Sequence, residues 1–81
     1  MNGNVKMIEI IFKHSNKYLL MNLDAVLETE IVFAKPYDRP ILVVTYRGFK
    51  QEYFCFIQTD TAQQLKNAID EKRDYVILED I

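Results

Sequence analysis

Residues 41–57 read Ile-Leu-Val-Val-Thr-Tyr-Arg-Gly-Phe-Lys-Gln-Glu-Tyr-Phe-Cys-Phe-Ile. Two runs rich in β-branched and aromatic side chains flank Arg47-Gly48, and such runs fit a pleated surface better than a helix. Gly48 tolerates the positive φ of a tight turn, so the two arms are predicted to pair as an antiparallel hairpin. With only 81 residues, the rest of the chain must form one domain, residues 1–81, built onto that ribbon. A chain of this size buries only about 60–65% of its unfolded surface. The one cysteine, Cys55, makes no internal disulfide, so stability has to come from packing, helped by self-association.

Before the hairpin, Val5–Phe12 is predicted to be a strand. Ile8, Ile10 and Phe12 share one face; Val5, Met7, Glu9 and Ile11 share the other. Both faces are mostly apolar, which marks a central strand or one covered on both sides. Lys13–Lys17 is a polar turn. Residues 17–33 admit two readings. In the first, Ser15 caps a helix carrying Leu19, Leu23, Val26 and Leu27, which gives a ferredoxin-like β-α-β-β-α-β arrangement. In the second, strands Tyr18–Asn22 and Val26–Phe33 meet at a corner, Leu23-Asp24-Ala25. The alternation of Leu27, Thr29, Ile31 and Phe33 against Glu28 and Glu30 favours two strands, and Asn22 and Asp24 are better turn formers than mid-helix residues.

Lys35–Pro40 is a loop punctuated by two prolines, which block regular pairing. After the hairpin, Asp60 or Thr61 is the predicted cap of a helix, with Gln63 or Gln64 as capping-box partner. Ala62, Leu65, Ala68 and Ile69 form a narrow apolar stripe, so this helix covers one face of a sheet. Tyr75–Leu78 is a last short strand. The predicted fold is α+β: an antiparallel, curved sheet of five to six strands with one C-terminal helix packed on it.

The order of strand, polar turn, the segment Lys17–Val26 with its Asn22-x-Asp24-x-Val26 core, Glu28 and Glu30 in a strand, then hairpin and capped helix resembles small bacterial β-rich domains. The FlbD-like flagellar family is one such group. The resemblance spans about residues 5–58 and implies two strands, not a helix, over residues 17–33. The turn of the hairpin differs from the family pattern, and the Lys35–Pro40 loop is longer. No functional residue is carried over.

Little in the sequence points to catalysis. His14 is the only histidine, and neighbouring Ser15 does not supply a nucleophile in the right geometry. Cys55 lies in an apolar strand and is expected to be a small core residue, not a reactive thiolate. Asp70, Glu71, Asp74, Glu79 and Asp80 lack the spacing and glycine of a calcium loop, and two glycines, Gly3 and Gly48, make no phosphate-binding loop. No catalytic, cofactor or metal residue is assigned.

Ten basic and twelve acidic side chains give a net charge of −2. Without a basic stripe, nucleic acid is not the expected partner. Arg47-Gly48-Phe49 followed by Phe54 and Phe56 is similar to the start of an RNA-recognition strand, but Lys50-Gln51-Glu52 breaks the pattern. There is no signal-like N-terminus and no apolar run of about 20 residues, so a cytoplasmic protein away from membranes is expected.

The expected function is a non-enzymatic interaction or regulatory module that forms a homo-oligomer. A strand edge or the apolar second face of Val5–Phe12 would supply the contact. A partner surface is predicted at Tyr37, Arg39, Tyr46, Arg47, Phe49 and Lys50, since Tyr and Arg favour interface anchoring. The alternative is a nucleic-acid or small-ligand binder using Tyr37, Arg39, Arg47 and Phe49.

Overall fold

In the computed structural model, residues 5–36 and 38–79 are described. The elements are β1 (Met7–Phe12), β2 (Lys17–Asn22), a 3-10 turn (Leu23–Ala25), β3 (Val26–Ala34), β4 (Arg39–Tyr46), β5 (Gln51–Cys55), α1 (Thr59–Asp70) and β6 (Tyr75–Leu78). The two-strand reading of residues 17–33 holds, and the helical alternative does not.

The single curved sheet is corrected. The six strands form two three-stranded sheets, ordered β2-β1-β6 and β3-β4-β5. The break falls at the 3-10 corner. Asn22 Oδ1 accepts from the Asp24 N–H at 2.9 Å, the Asp24 carboxylate accepts from the Lys6 N–H at 3.0 Å, and Lys6 returns its carbonyl to the Leu23 N–H at 2.8 Å. Asn22-x-Asp24 thus ties the start of β1 to a bend that sends the chain into the other sheet. A register shift between Val26 and Glu28 adds local twist just beyond the bend. All pairings are antiparallel except β1–β6, which is parallel; α1 supplies the crossover that returns the chain to the first sheet.

The hairpin pairs Ile41 with Cys55 through Thr45 with Gln51. Its turn closes with the Tyr46 N–H donating to the Lys50 carbonyl at 2.7 Å. Gly48 takes φ +84°, and Phe49 also turns left-handed at +63°. Phe49 therefore sits in the turn, exposed, with its N–H donating to the Tyr46 carbonyl at 2.9 Å. Residues 39 and 40 are strand, not loop. Pro40, the second residue of β4, lies opposite Phe33 near the strand start, where its missing N–H is tolerated, and its carbonyl accepts from the Phe56 N–H at 3.0 Å.

One core joins both sheets and the helix: Ile8, Ile10, Met21, Leu23, Leu42, Val44, Phe56, Val76 and Leu78 around Ala62, Leu65, Ala68 and Ile69. The predicted helical stripe is buried in full. The predicted cap is not formed. Gln58 occupies the cap without a side-chain bond, while Thr61, inside the first turn, is buried with its hydroxyl directed at the Glu79 carbonyl. Cys55 is exposed, not a core residue. It shares strand parity with Gln51 and Tyr53, so the pleat turns it to the outer face of its sheet.

Candidate interaction face

Of the residues predicted to bind a partner, Tyr37 lies outside the described residues. Arg39 begins β4 and is exposed; Arg47, Phe49 and Lys50 are exposed at the hairpin tip, where β4 ends. Eight residues of strand separate these groups by more than 20 Å at ~3.3 Å per residue, so the fold does not gather them into one site. Tyr46 is turned partly inward, and its hydroxyl donates to the Glu52 carboxylate. Burial, with Glu52 as acceptor and as neighbouring negative charge, pushes the Tyr46 phenol well above its ordinary range.

A different surface stands out. In the first sheet, the pairings Ile11 with Tyr18, Glu9 with Leu20, Glu9 with Tyr75 and Ile11 with Ile77 put these side chains on one face. It is the face opposite Ile8 and Ile10, which are sealed in the core. Met7, Tyr18, Leu20, Tyr75 and Ile77 are all exposed on it, five of the twelve large apolar side chains exposed among the described residues. Ile11 and Glu9 are half-buried between the flanking strands. No element among the described residues covers this face.

The corresponding face of the second sheet is built otherwise. Glu28, Glu30, Gln51, Tyr53 and Cys55 flank the central Val43 and Thr45, which are 9% and 8% exposed. Gln51 Nε2 donates to the Thr45 hydroxyl at 3.2 Å. Tyr53 is the one large apolar side chain exposed on that face among the described residues, against five on the first sheet.

The sequence pointed to the second face of β1. The contributions of β2 and β6 come from pairing. Their signal was available: Tyr18–Met21 and Tyr75–Leu78 are apolar at both strand parities, unlike β3 with Glu28 and Glu30.

The described residues hold no group of three or more His, Cys, Asp or Glu placed to bind a metal. His14 is exposed, with Nε2 3.2 Å from Glu79. No helix among the described residues is long and apolar enough to cross a membrane. The chain matches no protein-family model, no curated protein and no solved structure.

Proposed function

We propose that this domain is a non-enzymatic interaction module that associates with a second copy of itself through the outer face of β2-β1-β6. The observation that supports it is the uncovered apolar face around Ile11. Tyr18 and Tyr75 are 64% and 59% exposed, so each offers roughly 100 Å² of the ~150–250 Å² an aromatic side chain can bury. With Met7, Leu20 and Ile77 added, the strip reaches the ~300–600 Å² of the largest patch on a typical monomer, a patch that is often functional. It moves toward the ~800 Å² per partner of a standard interface. A two-fold axis across such a face needs no second surface.

A non-enzymatic role fits the placement of the reactive side chains. The histidine lies in the β1–β2 turn and the cysteine on the second sheet's outer face. A cytoplasmic setting fits a single unpaired thiol. The nucleic-acid alternative gains nothing from the geometry, since Arg39 and the hairpin tip lie at opposite ends of β4.

Sedimentation equilibrium over a wide concentration range tests the proposal. The expected result is a dimer that Leu20→Asp converts to a folded monomer. A strict monomer at high concentration would overturn it.

A further inference from the structure

Among the described residues β6 has one strand neighbour, β1, and its other edge is open. The Glu9 N–H donates to the Asp74 carbonyl at 2.9 Å and the Lys13 N–H to the Leu78 carbonyl at 3.0 Å. A parallel ladder uses alternate residues, so Asp74, Val76 and Leu78 face β1, while the backbone groups of Tyr75 and Ile77 point away from it. An open edge of this kind is a template for an added strand.

The open edge borders a groove. A cavity of about 770 Å³ runs along it, with Gln64 and Asn67 of α1 as part of the far wall. At the start of β6 the lining is cationic: Lys6, Lys72 and Arg73 against the single carboxylate of Asp74. With Glu71 on Arg73 counted beside Asp74, three cations face two carboxylates, a surplus of one positive charge in a chain whose net charge is −2. Lys6 is engaged by Asp74 and Arg73 by Glu71; Lys72 forms no ion pair among the described residues.

The end of α1 fixes those cations. The Lys72 N–H donates to the Ile69 carbonyl and the Arg73 N–H to the Ala68 carbonyl, the two bonds of a Schellman closure. The left-handed residue of that closure is usually glycine. Here it is Lys72, at φ +56°, a conformation that disfavours a side chain.

We propose that the β6 edge is a docking groove for an extended acidic peptide. The peptide adds as a fourth strand of the first sheet, bonded to the outward backbone groups of Tyr75 and Ile77. Its carboxylates lie at the end of the groove held by Lys6, Lys72 and Arg73. Main-chain bonds supply affinity and the charged end supplies selectivity.

The test is fluorescence anisotropy with labelled, end-blocked peptides of alternating valine and threonine that carry two glutamates at one end, made in both orientations. Lysine replaces glutamate in the controls. One glutamate peptide is expected to bind about tenfold tighter than its lysine control at low salt, and less so as salt rises. The orientation that binds gives the strand direction. Its addition should shift the amide resonances of Tyr75 and Ile77.

Ile77→Pro removes an outward donor and leaves the ladder to β1 intact, so it should abolish binding. Lys72→Gly should raise the melting temperature and weaken the glutamate peptide severalfold, an opposition that a purely structural lysine would not produce. Equal affinity for glutamate and lysine peptides would overturn the proposal. So would undiminished binding by folded Ile77→Pro or, should that variant not fold, by Lys72→Gly. Leu20→Asp, remote from the groove, should bind the peptide like the wild type. If Leu20→Asp still dimerises and Ile77→Pro abolishes that dimer, the edge belongs to a second copy and the peptide proposal fails.

Discussion

The two sheets have three strands each and share one core, yet their outer faces follow different rules. The second sheet exposes little but Tyr53 among its large apolar side chains there: Glu28, Glu30 and Gln51 interrupt the apolar residues, and Val43 and Thr45 are buried. The first sheet leaves Met7, Tyr18, Leu20, Tyr75 and Ile77 in the open around Glu9. Both inner faces contribute to the one core, so packing of that core does not account for the contrast. A monomer gains nothing from an apolar outer face, whereas an interface does. The difference separates residues that hold the domain together from residues available to hold something else.

The comparison breaks most severely at the helix. Leu65 is fully buried in the core that both sheets share. Leu65→Ala should cost about 2–5 kcal/mol in urea unfolding. A result near zero would mean that the sheets do not depend on the helix. Leu20→Ala, on the outer face, should change the stability of the dilute monomer by no more than ~0.5 kcal/mol.

The outer face itself is tested by charge. Leu20→Asp or Ile77→Asp should weaken self-association by about tenfold or more, read by sedimentation, with little change in the far-ultraviolet spectrum. Glu9 sharpens the point. It is the carboxylate between the apolar strands, and burying it against a second copy carries a desolvation cost. Glu9→Gln should therefore tighten association severalfold. Weakened association would mean that Glu9 meets a cation across the interface.

On the inner side, Tyr46 gives a pH dependence. Burial and Glu52 hold its phenol above the ordinary value of about 10. The folded state keeps a proton that the unfolded chain releases above that pH. Stability from this group is thus complete below pH 10 and falls as the pH rises beyond it. Tyr46→Phe should flatten that loss, at a cost of about 1 kcal/mol at neutral pH for the hydrogen bond to Glu52.

The smallest effect belongs to Lys6 and Asp74. The ammonium of Lys6, as donor and as charge, holds the Asp74 carboxyl below its ordinary range. Its contribution is present at neutral pH and fades as acid protonates the carboxylate below about pH 4. Asp74→Asn should make stability slightly less sensitive to acid. The pair is exposed, so the change should be barely resolvable.

Much of this was legible from residues alone. The alternation of Leu27, Thr29, Ile31 and Phe33 marked a strand, the stripe from Ala62 to Ile69 marked the buried side of a helix, and the two apolar parities of Val5–Phe12 marked β1 as central with a face to spare. These are local periodicities, and the pleat and the helical turn translate them directly into faces. Cys55 and the hairpin tip show the limit. Periodicity tells which residues share a face, but not whether that face meets the core, so an apolar neighbourhood in sequence misplaced the cysteine.

The pairing of β6 with β1, the division into two sheets and the cationic groove beside the β6 edge bring together residues as distant in sequence as Lys6 and Asp74. No local pattern encodes such contacts. They arise because the Asn22–Asp24 corner redirects the chain, and the helix, in covering the core, carries the last strand back to the first. Local chemistry determined the elements and their apolar sides. Only the long-range packing of those sides decided which face stayed uncovered.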